Sequence, residues 1–408
     1  MNFDDTPQEA KFRTEARAFL SANAHLMSET EPRKESEAEL ITRARAWQKL
    51  KLENGWACLN YPKEYGGRGT TPMELIIWGQ EEARYDVPTR PYSIGLGMCG
   101  PTMMAYASEE HKQARLPRMI TGEDIWCQLF SEPGAGSDLA NLRTRCEPDG
   151  DDWIINGQKI WTSGAHYSDW GILVTRSDPS VPKHKGLTFF FLDMKSPGVE
   201  ICPIKQISGD SNFNEVYFTD VRIPDSQRLG AVGDGWRVSL TTLMNERLAV
   251  GDGHGCDVLD LVALAAKLEI DGEPAMSNPA VREKIANWYC QKSGLRNTKY
   301  RVMSALSRGQ TPGPENSITK VVSASMMQDM GSFGVELMDM GGILVDRDDN
   351  DFESRVFQNS FMGAPGFRIA GGTDEILRNI IAERVLGLPQ DVRVDKGIPF
   401  SKVEQGAK

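Results

Sequence analysis

The sequence predicts an α+β protein laid out as helical, then β, then helical again, and three observations carry that prediction. Apolar residues recur at helical spacing through residues 1–123, short β-type runs bounded by turn residues occupy 124–236, and long helical periodicity returns over 237–408. With 408 residues, the chain is long enough for two or three domains and a substantial core.

The first helix opens at Thr6-Pro7, which with Glu9 reads as an N-cap, an N1 proline and a capping-box acid, and runs through Phe12, Ala16 and Leu20. Helical spacing recurs over 37–52 and 73–84, on either side of the turn-rich Tyr61-Pro62-Lys63-Glu64-Tyr65-Gly66-Gly67. The β runs are 153–155, 171–174, 187–192 and 216–218, separated by Pro148-Asp149-Gly150-Asp151 and by the stretch 179–185. Helices are predicted over 237–266, 279–308, 315–341 and 373–386, with breaks at Asp271-Gly272-Glu273-Pro274 and Gln310-Thr311-Pro312-Gly313, which makes a C-terminal four-helix bundle followed by a polar extended arm after Pro389. Gly251-Asp252-Gly253-His254-Gly255 falls inside the first of these helices, where each glycine costs about 1 kcal/mol relative to alanine. That cost implies that space is needed there, either for a wide ligand pocket or for close helix packing.

Composition excludes several classes. A net charge of -11 leaves no basic surplus for non-specific nucleic-acid binding, although a local basic pocket for a phosphorylated ligand is compatible with it. No apolar run approaches the roughly 18 to 20 residues that cross a bilayer, and Met1-Asn2-Phe3-Asp4-Asp5 is acidic where a signal peptide is basic, so a cytoplasmic protein without membrane contact is expected. Seven cysteines without a Cys-x-x-Cys pair read as reduced core residues, and five dispersed histidines give no metal-ligand spacing.

Two segments carry chemistry. Phe130-Ser131-Glu132-Pro133-Gly134-Ala135-Gly136-Ser137-Asp138 packs two glycines, a proline and two hydroxyls into a tight loop whose N–H groups and hydroxyls can face a ligand. Asn156-Gly157-Gln158-Lys159-Ile160-Trp161-Thr162-Ser163-Gly164 reads as a strand end bearing an indole and two more hydroxyls. An aromatic face beside several neutral donors suits a planar, electron-accepting heterocycle better than a bare phosphate, and a flavin is the natural candidate.

With Asn245-Glu246-Arg247-Leu248, Leu295-Arg296-Asn297-Thr298 and Gly371-Gly372-Thr373-Asp374-Glu375-Ile376, which follow in this order over nearly the whole chain, the sequence resembles the acyl-CoA dehydrogenase family. The resemblance implies that family's fold and the FAD-dependent removal of hydrogen from Cα and Cβ of an acyl-CoA thioester. In one branch of the family the base precedes the Gly-Thr of the C-terminal motif, a position held here by Gly371, which has no proton acceptor. In the branch that includes isovaleryl-CoA dehydrogenase the base lies in a Glu-Arg-Leu sequence, which Glu246 matches.

By the same resemblance, Ser131, Ser163 and Trp161 meet the flavin ring, Ser137 contacts CoA or the flavin phosphates, and Arg247 lies near bound substrate, as do Asn245 and Gly372. Phe130 and Gly136 belong to the cofactor loop. Arg296 and Thr298 match an Arg-x-Thr that reaches the FAD of a neighbouring subunit, while Thr373 and Glu375 match positions near the diphosphate and ribose. Gln128 and Glu336 stand at further cofactor positions, Gln128 in place of a common aromatic and Glu336 in place of a frequent glutamine. The implied partners are an electron-transferring flavoprotein and further copies of the chain in a dimer or tetramer, with pairing to a similar subunit as the alternative assembly. An oxidase passing electrons to oxygen and a non-catalytic CoA-binding subunit are the competing functions.

Overall fold

The computed structural model describes residues 4–27, 35–249, 255–306, 308, 313–314, 317–344 and 352–403, with backbone only at 246–249, 306 and 352–354. The chain divides into two compact units, Pro7–Gly251 with Val392–Lys408, and Met1–Thr6 with Asp252–Asp391.

The first unit begins with α1 Pro7–Asn23, α2 Glu37–Glu53, α3 Pro72–Glu82, α4 Gly100–Tyr106 and α5 Glu109–Thr121. Helix α1 starts at Pro7 as expected, and Ser36 with Glu39 and Thr71 with Glu74 close capping boxes on α2 and α3. These helices pack through Phe12, Phe19, Trp47, Trp56 and Trp78, with Trp56 stacked on Trp78 at 4.8 Å. A π-helical turn, Gly95–Cys99, leads into α4. The Tyr61 phenol donates to the Leu96 carbonyl within it (2.6 Å), and a Cβ on Gly100 would lie 1.8 Å from that phenol oxygen, so only glycine fits.

The sheet comprises β1 Trp126–Leu129, β2 Arg145–Asp149, β3 Asp152–Ser163, β4 Trp170–Arg176, β5 Leu187–Asp193, β6 Val199–Ile204 and β7 Phe213–Pro224. Its order is β1-β4-β2-β3-β7-β6, and β5 pairs with β4. Strand β5 is buried on both faces, which explains its apolar run at 189–192: Phe189 and Phe191 pack toward the helices of this unit, while Phe190 and Leu192 pack with Ile155, Val216 and Phe218 of β3 and β7. All four sequence-predicted runs fall in strands, whereas β1, β2 and β6 carried no clear β signal. Helix α6, Gly235–Ala249, completes this unit and starts so close to Leu187 that a Cβ on Gly235 would lie 2.6 Å from its carbonyl carbon.

The second unit contains α7 Val258–Lys267, α8 Pro279–Leu306, α9 Ser317–Leu337, α10 Phe352–Ile369 and α11 Asp374–Arg384, around Leu261, Leu264, Trp288, Met326, Met330 and Phe357. The single helix expected over 237–266 is two helices. Gly255 is left-handed (φ +88°) and Asp257 caps α7 in a capping box with Asp260, so the chain stops and restarts. Gly251, Asp252, Gly253 and His254 lie outside the described residues. At Gly255 close packing holds: a Cβ would lie 2.3 Å from the Met327 sulfur. Helix α10 escaped the sequence because Gly363, Pro365 and Gly366 read as breakers, yet Pro365 lies within it.

The C-terminal arm folds back on the first unit instead of extending freely. Phe400 donates its N–H to Val181 (2.9 Å) and Ser401 to Pro179 (2.8 Å), and the Arg176 guanidinium lies 3.6 Å from the centre of the Phe400 ring. Lys183 pairs with both Asp395 of the arm and Asp138. All seven cysteines are free; Cys99, Cys127, Cys146 and Cys256 are buried, but Cys290 is exposed, contrary to the core expectation, because its helix turns that position outward. No described helix is long and apolar enough to cross a membrane.

Candidate functional site

The two glycine- and hydroxyl-bearing segments meet. The Ile160 N–H of β3 donates to the Ser131 carbonyl (2.9 Å), and the Lys159 ammonium donates to the Phe130 carbonyl (3.0 Å) and to Glu132 (2.8 Å). Glu132 also accepts the N–H groups of Arg143 (2.6 Å) and Thr144 (2.9 Å), and its backbone exchanges two hydrogen bonds with Ala135, which folds the loop into a tight turn. Lys159 is 0% exposed. Burial alone would raise the Glu132 carboxyl, but the Lys159 ammonium and the surrounding donors outweigh it and hold the group below its usual range. Burial pushes Lys159 down, a shift that Glu132 opposes. An ionised pair with this many hydrogen bonds is a rigid peg beneath the loop.

Strand β3 then bulges, its register with β7 shifting between Lys159 and Thr162. Within the bulge Trp161 is left-handed (φ +60°) and 56% exposed, its ring edge-on to Phe213 at 6.0 Å. A bulky aromatic in this conformation costs on the order of 1–3 kcal/mol and persists only where the surroundings impose it, a signature of functional sites. Asn214 donates to the Thr162 carbonyl (2.9 Å) and fixes the next residue. Two buried polar atoms in or beside these segments, Gln128 Oε1 and Thr162 Oγ1, have no hydrogen-bond partner among the described residues, and ordered water or a ligand commonly meets such groups. Phe130 is buried, Ser131 and Ser163 are half-buried, and Gly136 and Ser137 are exposed, with no atom within 4 Å of a Cβ built on Gly136.

In the same unit, α6 carries Asn245, whose amide donates to the Thr241 carbonyl (2.9 Å). Glu246 and Arg247 continue that helix; their side chains lie outside the described residues.

The remaining sequence-predicted residues belong to the second unit. Arg296 is exposed on α8, and the Thr298 hydroxyl donates to the Gly294 carbonyl (3.0 Å). Glu336 is exposed on α9. Gly371 (φ +65°) and Gly372 (φ +92°) form a left-handed turn that only glycine adopts easily, and Thr373 caps α11 by accepting the Ile376 N–H (3.2 Å). Glu375 is exposed in the first turn of α11.

Sequence reasoning missed the supports beneath both motifs. Lys320 donates to the Gly372 carbonyl (2.6 Å) and the Arg368 carbonyl (3.1 Å), and buried Asp374 accepts from Arg368 (2.7 Å), which anchors the glycine turn. For Lys159 a signal existed: it falls at a buried position of β3, where a lysine demands a carboxylate partner.

Comparison with known proteins gives a consistent picture. Family models match residues 6–123 as "acyl-CoA dehydrogenase, N-terminal domain", 127–221 as its middle domain and 233–386 as its C-terminal domain. Over 392 residues the chain is 35% identical to an acyl-CoA dehydrogenase of Mycobacterium tuberculosis named IpdE1, covering 94% of this chain and 98% of that protein. The solved ChsE4-ChsE5 complex of Mycobacterium tuberculosis superposes with a TM-score of 0.75 at 26% identity, covering 96% of this chain and 100% of the other. A structure titled as the Tcur3481-Tcur3483 steroid ACAD does so with a TM-score of 0.76 at 26% identity and the same coverage.

Proposed function

The chain belongs to the acyl-CoA dehydrogenase family, and from that premise we propose that it binds FAD and removes hydrogen from Cα and Cβ of an acyl-CoA thioester, with Glu246 as the base. The observation that carries the proposal is the bulged strand: Trp161 is held in a left-handed conformation beside a loop pegged by Glu132 and Lys159, and Gln128 carries a buried amide oxygen with no partner among the described residues. A flat heterocycle with hydrogen-bonding edges matches that donor and acceptor set.

Ser131, Ser163 and Trp161 would meet the flavin ring, and Phe130 and Gln128 would contribute further contacts to the cofactor. Gly136 and Ser137, on the open side of the loop, would receive the phosphate-bearing parts of FAD or CoA. Bound FAD supplies the acceptor for the hydride from Cβ. Glu246 takes the α proton, and Gly371, lacking any acceptor, leaves the base to α6. Asn245, Arg247 and Gly372 would contact the substrate.

Arg296 and Thr298 on α8, Glu336 on α9, and Thr373 with Glu375 at the start of α11 would meet the FAD diphosphate and ribose, Arg296 and Thr298 doing so for a neighbouring subunit. That arrangement makes the protein an oligomer, of itself or with a similar subunit; two-protein complexes such as ChsE4-ChsE5 support the latter. Electrons would leave to an electron-transferring flavoprotein.

The test is anaerobic mixing of FAD-loaded protein with acyl-CoA thioesters of short, branched, aromatic and steroid chains. The steroid thioester is the first to try, since one similar structure is titled a steroid ACAD. Bleaching of the flavin band is expected with at least one of them. A colourless protein that ignores added FAD overturns the proposal.

A further inference from the structure

Helix α6 is bolted to α4 by hydroxyl groups, and this connection has a use beyond packing. Thr102 and Thr242, each fully buried, place their hydroxyl oxygens 2.9 Å apart. One turn of α4 further on, the Tyr106 phenol lies 2.9 Å from the Thr241 hydroxyl. Thr102 also donates to the Met98 carbonyl (2.9 Å), in the π-helical turn, and Thr242 has a longer route to the Val238 carbonyl (3.3 Å). A hydroxyl has one proton. One of the two therefore donates across the pair, and the other keeps its proton on the carbonyl one turn back, Met98 for Thr102 or Val238 for Thr242.

Neither threonine needs its partner for hydrogen-bond satisfaction, because each has the carbonyl four residues back within reach. A valine pair of nearly the same shape would bury more apolar surface and remove both hydroxyls. What the cross-helix bonds add is direction. Thr241 and Thr242 are adjacent, so their side chains leave α6 about 100° apart, and two bolts at that angle fix the rotation of the helix about its axis where one bolt would be a pivot. Asn245 and Glu246 follow them by four residues each, one turn along the same helix. The rotation set at Thr241 and Thr242 is therefore the rotation of the backbone at 245 and 246.

We infer that Thr102, Tyr106, Thr241 and Thr242 are positioning residues, which fix the azimuth of α6 and through it the placement of Glu246. The inference rests on Glu246 being the base. Misplacing a reacting group by about 1 Å can cost on the order of 100-fold in rate, so a small rotation of α6 should be read in the proton-abstraction step and not in cofactor binding.

The experiment compares FAD-loaded wild type, Thr102→Val/Thr242→Val, Thr102→Ser/Thr242→Ser and Glu246→Gln in anaerobic flavin reduction by a thioester that bleaches the wild type. The valine pair should keep its FAD content and its half-saturating substrate concentration while its limiting reduction rate falls roughly 10- to 100-fold. The serine pair, which restores the hydroxyls without the methyls, should recover most of that rate. A limiting rate within about twofold of wild type in the valine pair, with Glu246→Gln slow, overturns this inference alone. A slow valine pair that serine does not rescue overturns it too, because the methyl contacts would then be what matters. Undiminished reduction in Glu246→Gln overturns the assignment of the base, and this inference with it.

Discussion

In the unit that carries the sheet, Ser131 and Trp161 are fixed by partners from their own unit; in the helical unit Arg296, Glu336 and Glu375 stand exposed and make no side-chain hydrogen bond or ion pair among the described residues. The contrast is physical. A left-handed tryptophan in a bulge is strained and must be imposed from below, so the chain spends a buried ion pair and several backbone donors on it. Long polar side chains on helix surfaces need no such frame until a ligand or another subunit orders them. The proposed cofactor residues of the sheet unit are thus held by their own unit, whereas those of the helical unit are not.

The sharpest way to break this comparison is to move the chemistry from one unit to the other. Glu246→Gln keeps size and hydrogen bonding but removes the proton acceptor. Flavin reduction by substrate should slow by more than the roughly 100- to 10,000-fold of ordinary general-base assistance, at full FAD occupancy, because no second base is proposed. Glu375→Gln, in the helical unit, should alter FAD affinity and leave the reduction rate nearly intact. Stopped-flow reduction of both variants decides. A collapse confined to Glu375→Gln would place the base in the wrong unit.

Next in size is the peg itself. Lys159→Met leaves Glu132 buried without its cation, a change that typically costs 3–5 kcal/mol. Unfolding of the sheet unit should shift by about that amount, and the protein should lose FAD. Glu132→Gln/Lys159→Met removes both charges and should recover a substantial part, as measured by denaturant midpoints. Acid should act through the same pair. Because the folded Glu132 carboxyl lies below its ordinary value of 4.5, the stability it contributes is complete above that pH and is lost as the pH falls through the lower folded value. Lys159→Met should flatten that limb of the stability curve, since the cation that holds Glu132 down is gone.

How much of this was legible in the sequence depended on the range of the interactions. The strands at 171–174 and 187–192 were visible because two-sided burial writes continuous apolar runs, and α1 because Pro7 and Glu9 mark its start. Helix α10 was hidden by Gly363, Pro365 and Gly366, whose local tendencies tertiary packing around Phe357 overrides, and the break before α7 was hidden because helical spacing continues on both sides of Gly255. The loop and the strand of the site were legible as motifs. Their supports were not: Glu132 and Lys159 are 27 residues apart, Lys320 and Gly372 are 52 apart, and nothing local couples them.

The assembly half of the comparison is tested at α8. Arg296→Ala removes an exposed cation that makes no side-chain hydrogen bond or ion pair among the described residues, so stability of the chain should be unchanged. If Arg296 completes a neighbour's site through a charge-assisted contact, FAD should dissociate roughly 10- to 100-fold more readily, and subunit association should weaken with it. Equilibrium dialysis against FAD, alongside sedimentation, reads both. A stable monomer that keeps its flavin would remove the idea of a shared site and make the exposed residues of the helical unit ordinary surface.

The smallest expected effect comes from the arm, which looks like the helical unit in exposure but behaves like the sheet unit in its fixings. Phe400 lies against the Arg176 guanidinium, whose other donors reach the Leu142 carbonyl (3.0 Å) and the Ala140 carbonyl (2.5 Å) just beyond the Ser131 loop. Burial holds Arg176 down to about 10 against the opposing pull of Glu132, Asp138 and Asp178, and the ring adds to what compensates a partly desolvated cation. Phe400→Ala should therefore cost about 0.5–2 kcal/mol, the range of a cation–π contact, a shift of a few degrees in melting temperature for a unit of this size. FAD content should not change, because Arg176 keeps its bonds to the Leu142 and Ala140 carbonyls and the loop retains the Glu132–Lys159 peg. Loss of flavin in Phe400→Ala would show that the arm, and not the peg, holds the loop, and the division between a self-supported and an assembly-dependent half would have to be redrawn.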